Sequence, residues 1–140
     1  MANGPLHGVR VLDLTEFIFG PYATQVMGDL GADIIKVENP GGDRQRHGSK
    51  FAKNEDMGAT FMSMNRNKRS LTLDLKTDEA REKLRALIPT ANVFIHNVRA
   101  DAMARLGFGY EEVAKINPHI VYVHCVGYGS DGPYAGRQAF

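Results

Sequence analysis

The chain has 140 residues, a length that suits one domain with a hydrophobic core of its own. Hydrophobic residues make up 43% and charged residues 24%, and the net charge of +1 indicates neither a nucleic-acid footprint nor attraction to a membrane surface. No apolar run is long enough for a transmembrane helix, and the first residues do not resemble a signal peptide. The single cysteine, Cys125, excludes an internal disulfide and fits a reducing, cytoplasmic setting.

The first part of the chain predicts a βαβ unit. Residues 9–15 and 33–38 are strand candidates, and residues 21–32 between them form a helix candidate with Pro21 at its first position. Two strands joined by a helix in this way are expected to be parallel. The polar segment 39–58 is long for a loop, which is typical of a functional or a disordered segment.

The second part continues the alternation of strands and helices. The strand candidates are 70–75, 92–97 and 120–129, and the helix candidates are 77–88, 100–107 and 109–118. Thr77 suits the N-cap of the first of these helices, and Pro89 ends it. The nearly all-apolar run 120–129 predicts a buried, central strand. The whole pattern predicts an α/β fold with a doubly wound, mostly parallel, Rossmann-like sheet.

Ligands of such sheets bind at the carboxyl ends of the strands, where three segments could contribute. Gly20, after the first strand, would allow a ligand to approach the helix start closely, although the same turn could be a simple helix entry with Phe17 and Phe19 buried. The segments 65–76 and 96–107 carry lysines and arginines that could bind phosphate groups, or that could simply be solvated surface charge.

Other common kinds of site find little support. The chain has no G-x-G-x-x-G after the first strand and no G-x-x-x-x-G-K-[ST], so a dinucleotide site and a P-loop lose their main signatures. The histidines show no paired spacing and Cys125 has no second cysteine, so we expect no metal site. His124 and Cys125 are adjacent on a strand candidate and should point to opposite faces, which argues against a Cys–His couple.

The ordered segments LHGVRVLDLTEFIFGPYATQVMGDLGADIIKVENPGGD, NRNKRSLTLDLKT and NVFIHNVRADAMARLGFGYEEVAKINPHIVYVHCVGYGSDGP resemble the class III CoA-transferases. That family includes formyl-CoA transferase, carnitine CoA-transferase and alpha-methylacyl-CoA racemase. The resemblance covers nearly all of the chain. It implies an acyl-CoA:carboxylate CoA-transferase that binds coenzyme A, takes an acyl-CoA and a carboxylic acid acceptor as partners, and needs no metal.

The resemblance also implies which residues contact CoA. They are Ile18, Phe19, Asn39, Leu73, Asp74, Leu75, Lys76, Asn97, Val98, Arg99 and Arg105. The group 73–76 would hold the adenosine part, Arg105 would contact a phosphate, and Ile18 would lie beside the thioester. Ile18 lacks the amide that a glutamine supplies there in formyl-CoA transferase, which disfavours a formyl or oxalyl substrate. Asn39 falls where several members carry an arginine near the nucleotide.

The resemblance places no catalytic residue in this chain. The family's nucleophilic aspartate, which attacks the thioester, is expected roughly 30 residues beyond the matched segments. None of the aspartates at 13, 29, 33, 74 and 131 occupies that position. We therefore expect residues 1–140 to be the N-terminal part of the large CoA-binding α/β domain and inactive alone. The full-length protein is expected to be a cytoplasmic, interlocked homodimer.

Two alternatives remain at this point. An acyl-CoA racemase needs acid–base groups on both faces of the alpha carbon, and Phe140 stands where racemases carry a histidine. Phenylalanine cannot transfer a proton, so the transferase is favoured over the racemase. The other alternative is a non-catalytic module that binds CoA or a nucleotide.

Overall fold

A computed structural model describes residues 4–48, 56–135 and 137, and the strands within them form one sheet. The strands are β1 (Arg10–Leu14), β2 (Asp33–Glu38), β3 (Lys68–Thr72), β4 (Val93–His96) and β5 (Val121–His124). The helices are α1 (Phe19–Asp29), α2 (Ala59–Met64), α3 (Asp78–Leu87), α4 (Ala100–Leu106) and α5 (Tyr110–Ile116). Short 3₁₀ turns lie at Arg44–Arg46 and Ile88–Thr90.

The strand order is β3-β2-β1-β4-β5, and all four neighbouring pairs are parallel. This is the order of a doubly wound sheet, so the predicted α/β class is confirmed. The chain reverses its winding direction between β1 and β4. Such a switch point leaves a crevice at the carboxyl ends of the strands, and there the fold positions its candidate site.

Each face of the sheet carries its own apolar layer. The larger layer joins the sheet to α3, α4 and α5, and includes Leu12, Phe94, Leu84, Met103 and Val113. The smaller layer, which Met27 of α1 covers in part, includes Val11, Ile34 and Ile95. The predicted cap of α3 is confirmed, because the Thr77 side chain accepts a hydrogen bond from the Ala80 amide. Two covered faces are what alternating strands and helices require.

The first helix starts earlier than predicted. It begins at Phe19, so Pro21 is its third residue rather than its first. Proline is tolerated there, because the amides of the first helical turn have no partner within the helix. The alternative in which Phe17 and Phe19 are buried is wrong: these side chains are 45% and 72% exposed.

The apolar run 120–129 does not form the predicted buried, central strand. The strand β5 covers only residues 121–124 and pairs with β4 alone within the described chain. Its Tyr122 packs on the larger apolar layer and Val123 on the smaller one. No residue of β5 is fully buried and Val121 is 57% exposed, so within the described chain β5 is neither central nor buried.

The helix α2 was not predicted. It has six residues, starts after Gly58 and buries only Phe61, over whose ring the Arg46 guanidinium lies at 3.8 Å. One buried residue leaves no periodic pattern to read.

Of the long polar segment 39–58, residues 49–55 lie outside the described part. Among the described residues, no helix is long and apolar enough to cross a membrane.

Candidate functional site

A cavity of about 540 Å³ opens at the carboxyl ends of β1, β2 and β4, on the side of the sheet that α4 covers. Its lining residues are Leu14, Glu16, Phe17, Val37, Glu38, Asn39, Arg44, Leu73, Asp74, Leu75, Lys76, Asn97, Val98, Ala102, Met103, Arg105 and Leu106. The buried leucines at 14 and 73 give it an apolar floor, whereas charged side chains stand at its rim. The cavity lies where doubly wound sheets bind their ligands.

The structure brings most of the implied CoA-contacting residues together. Eight of the eleven line this one cavity: Asn39, Leu73, Asp74, Leu75, Lys76, Asn97, Val98 and Arg105. Three do not line it. Ile18 and Phe19 lie at the exposed start of α1, next in sequence to the lining Phe17. The Arg99 side chain lies at the N-cap of α4, where its Nε is 3.3 Å from Asp101 Oδ1.

Asn97 joins the ends of β1 and β4. Its Oδ1 accepts a hydrogen bond from the Glu16 amide at 3.0 Å, and its Nδ2 donates to the Glu16 carbonyl at 2.8 Å. The two hydrogen bonds fix the loop after β1 against the end of β4. One N–H of Nδ2 and one lone pair of Oδ1 are not used by these bonds.

The basic groups of the cavity stand at its rim. The Arg105 side chain is 72% exposed, and its Nη1 donates to Asp101 Oδ2 at 3.0 Å. This hydrogen bond is the main reason why the pKa of Asp101 lies below its ordinary value. Lys76 is also exposed, and it follows the turn that Asp74 closes by accepting from the Lys76 amide. Exposed cations of this kind suit phosphate groups, and salt should screen them.

Glu16 is the acidic group of the wall that also carries Arg44. Burial, reinforced by the nearby Asp43 carboxylate, raises the pKa of Glu16 against the opposing effects of Arg44, Lys36 and Asn39. Asn39 Nδ2 donates to Glu16 Oε1 at 3.3 Å, and Arg44 Nε lies 3.9 Å from Oε2. The lining therefore pairs an acid with a base near Glu16, while Lys76 and Arg105 add two exposed cations at the rim.

Phe17 has the strained backbone of the site. Its φ of 71° lies in the left-handed region, which a bulky non-glycine residue rarely adopts. Its side chain is exposed, and the Arg44 guanidinium lies 5.6 Å from the ring centroid. Strain of this kind persists only where surrounding contacts hold it, and it concentrates at functional sites. Nothing in the residue type indicates it from sequence.

Gly20 has a different role from the one predicted. It is buried, and a Cβ at this position would lie only 2.5 Å from side-chain atoms of Thr15. The glycine therefore allows α1 to pack closely on the loop after β1. It does not open the helix start to a ligand.

His96 supports the part of the cavity wall that Val98 forms. The buried His96 ring places Nδ1 at 3.0 Å from the Val98 carbonyl, and its Nε2 lies 2.8 Å from the Tyr122 hydroxyl. Burial, with the stacked His124 ring as a second cause, lowers the pKa of His96 to about 4. His96 is thus neutral at pH 7, and its Nδ1–H can donate to the Val98 carbonyl. The single proton of the Tyr122 hydroxyl is shared between two acceptors, the Phe108 carbonyl at 2.9 Å and His96 Nε2 at 2.8 Å.

Buried ion pairs lie beside the cavity, and sequence reasoning missed them. Lys68 Nζ is 3.0 Å from Asp13 Oδ2, Lys36 Nζ is 2.8 Å from Asp43 Oδ2, and Arg46 forms a bidentate pair with Glu38 at 2.7 Å. A signal was present, because Asp13 and Lys36 each interrupt an apolar strand. A charge at such a position needs a buried partner.

The Glu38–Arg46 pair predicts a pH-dependent stability. Burial by itself would raise the pKa of Glu38, but hydrogen bonds from Arg46, Ser70 and the Asp43 amide bring it down to about 2 from 4.5. A lowered folded-state pKa stabilises the fold above about pH 4.5, and this contribution, about 3 kcal/mol, is lost as the pH falls towards 2.

Chemical denaturation between pH 7 and pH 2 tests this prediction. The unfolding free energy of the unaltered chain should exceed that of Glu38→Gln at pH 7, and the gap should close as the pH falls below 4.5. A gap that stays constant down to pH 2 would contradict the role of the Glu38 carboxylate.

Within the described residues, no three histidine, cysteine, aspartate or glutamate side chains are grouped to hold a metal ion. His124 and Cys125 contact opposite sides of the sheet as predicted, since His124 stacks on His96 while Cys125 packs on the smaller apolar layer. Phe140, which bears on the racemase alternative, lies outside the described residues.

A doubly wound sheet with a cavity at its switch point is the arrangement in which α/β domains commonly bind ligands. Residues 6–140 match the sequence profile of CoA-transferase family III, and the chain therefore belongs to this family.

The relatives of the chain are CoA-transferases. It is 41% identical over 138 residues to succinyl-CoA:glutarate CoA-transferase of Mus musculus, a match that covers 97% of this chain and 31% of the relative. It is 44% identical over 129 residues to succinyl-CoA:mesaconate CoA-transferase of Haloarcula hispanica, covering 90% of this chain and 33% of the relative.

The fold of the chain also matches a solved structure. A crystal structure of a CAIB/BAIF family protein from Brucella suis superposes with a TM-score of 0.93 at 40% identity, over 99% of this chain and 37% of the other. The chain thus spans about a third of the length of the relatives that it matches.

Proposed function

We propose that this chain supplies the CoA-binding part of an acyl-CoA:carboxylate CoA-transferase, with an acyl-CoA and a carboxylic acid as its partners. One observation carries the proposal: eight residues implied by family resemblance, from separate segments of the sequence, line a single cavity at the switch point. The dicarboxylate CoA-transferases among the relatives support this class of reaction.

The charges of the cavity favour one orientation of CoA. Its phosphates would lie at the rim near Lys76 and Arg105, because both cations are exposed there and the opposite wall carries Glu16. Its adenosine part would follow the segment 73–75, and its thioester would point towards the strained turn at Phe17. The carboxylate of Glu16 can then accept hydrogen bonds from amide or hydroxyl groups of the ligand.

These residues bind and orient; they do not supply the nucleophile. In the proposed reaction a carboxylate of the full-length protein attacks the thioester, forms a mixed anhydride and releases the CoA thiolate. The CoA thiolate then attacks the anhydride at the enzyme's carbonyl carbon, which releases the donor acid and leaves an enzyme–CoA thioester. The acceptor carboxylate attacks this thioester and forms a second mixed anhydride, and the released thiolate attacks the acceptor's acyl carbon, which gives the new acyl-CoA and restores the enzyme carboxylate. We further propose that the full-length protein is a cytoplasmic, interlocked homodimer, and that residues 1–140 form the N-terminal part of its large CoA-binding domain.

A transfer assay tests the proposed function. A full-length protein that carries these residues is expected to exchange CoA between succinyl-CoA and dicarboxylic acids, whereas the 140-residue chain alone should show no turnover because none of its aspartates takes the nucleophile's position. Turnover by the 140-residue chain would overturn the assignment of the nucleophile.

The same preparation distinguishes the racemase. Deuterium from heavy water should not enter the alpha carbon of a 2-methylacyl-CoA at a catalytic rate, because Phe140 cannot act as a base. Rapid deuterium incorporation without CoA transfer would favour the racemase. CoA binding without either activity would favour a non-catalytic module.

A further inference from the structure

Lys36 is a lysine in the interior of the fold. It lies in β2 between Ile35 and Val37, and its side chain is only 2% exposed. Its Nζ donates a hydrogen bond of 2.7 Å to the Thr15 carbonyl and lies 2.8 Å from Asp43 Oδ2. Burying an ammonium group is costly unless polar partners surround it, so this arrangement must be maintained by definite contacts.

The two partners of Lys36 belong to two different loops. Thr15 begins the loop between β1 and α1, and this loop continues into Glu16 and Phe17 of the cavity wall. Asp43 lies in the loop after β2, immediately before the lining residue Arg44. One buried ammonium group therefore connects the two loops that form the same wall, although Lys36 does not itself line the cavity.

The loop after β1 needs such a restraint. Phe17 has its backbone in the left-handed region, a conformation that persists only when neighbouring contacts hold it. Asn97 holds the Glu16 backbone, and Lys36 holds the Thr15 carbonyl. Asp43 Oδ2 is buried and accepts no well-aligned hydrogen bond from the described residues, so the Lys36 charge is what compensates it.

We propose that Lys36 is a positioning residue for the ligand cavity. It holds the 15–18 loop in the conformation in which Glu16 and Phe17 form the wall, and so sets the affinity of the cavity without touching the ligand. The identity of that ligand as CoA rests on the proposed function. Any effect of Lys36 should therefore appear both in CoA affinity and in the dynamics of the loop without ligand.

The test uses the double variant Lys36→Met, Asp43→Asn in the 140-residue chain. Methionine keeps the length of the side chain, and asparagine avoids leaving an unpaired buried carboxylate. The dissociation constant of CoA, from an NMR titration, should rise about tenfold, which corresponds to a fall in the population of the binding-competent wall to about a tenth. Hydrogen exchange of the Glu16 amide, which donates to Asn97, should accelerate in the same variant.

Ile88→Ala is the control for a general loss of stability. Ile88 is fully buried but lies outside the cavity, so this variant should be destabilised without a change in CoA affinity once folded. Unchanged CoA affinity and unchanged Glu16 exchange in the double variant would overturn the role of Lys36. Failure of the unaltered chain to bind CoA would instead contradict the proposed function, while Glu16 exchange would still decide whether Lys36 holds the loop.

Discussion

Replacing Asp13 by alanine is expected to lower the free energy of unfolding by about 3–5 kcal/mol, the usual cost of breaking a buried charge pair. Asp13 is fully buried in β1 and accepts hydrogen bonds from the Thr15 amide and hydroxyl, the Thr24 hydroxyl and Lys68 Nζ. Its removal would leave the Lys68 ammonium group buried without its carboxylate partner. A loss of this size is a large fraction of the stability of a single domain.

Two further variants distinguish the loss of the buried charge pair from the loss of packing that Asp13→Ala also causes. Lys68→Met in the Asp13→Ala background should recover part of the loss, because no unpaired ammonium remains. Asp33→Ala removes a partly exposed carboxylate that pairs with Arg10 and Arg69, and should cost less than about 1 kcal/mol. Equal losses for Asp13→Ala and Asp33→Ala in urea denaturation would show that burial of the pair is unimportant.

The double variant Lys76→Ala, Arg105→Ala is expected to weaken CoA binding by about 100-fold, since each charge-assisted contact to a phosphate accounts for about tenfold. Both residues line the cavity rim, and the rest of the wall supplies few cations. The difference between the variant and the unaltered protein should shrink as salt rises from 0.05 to about 0.5 M, because the contacts are exposed.

The matched control is Lys83→Ala, Arg85→Ala on α3. It removes the same formal charge, but both residues lie outside the cavity and pair with Glu79 and Glu82. Calorimetry should show CoA affinity within about twofold of the unaltered protein for this control. If both double variants weaken binding equally, the affinity for CoA depends on the net charge of the chain and not on the two cations at the cavity rim.

The fold was largely predictable because alternating strands and helices leave strong local patterns. The strand at 33–38 was predicted with its observed ends, and Thr77 signalled the start of α3. The position of β5 was not predictable in the same way. Its apolar residues suggested burial, yet Val121 is 57% exposed, because burial and strand order both depend on contacts between residues far apart in the chain.

The candidate site was predictable only in part. Residue types alone indicated phosphate-binding segments around Lys76 and Arg105, and family resemblance supplied the rest of the set. The strained turn at Phe17 has no signature in its residue type. Lys36 and Asp13 could have been noticed as charges within apolar strands, but their partners become known only when distant loops are placed together.

Amide chemical-shift mapping of the 140-residue chain during a CoA titration tests the central claim most directly. If the cavity at the switch point binds CoA, the largest shifts should fall on residues 73–76 and on Asn97 and Val98. A second cavity, of about 420 Å³, lies at the amino ends of β1 and β2 and is lined in part by Arg10 and Asp33. Shifts concentrated there, or no saturable shifts at all, would contradict the proposed site.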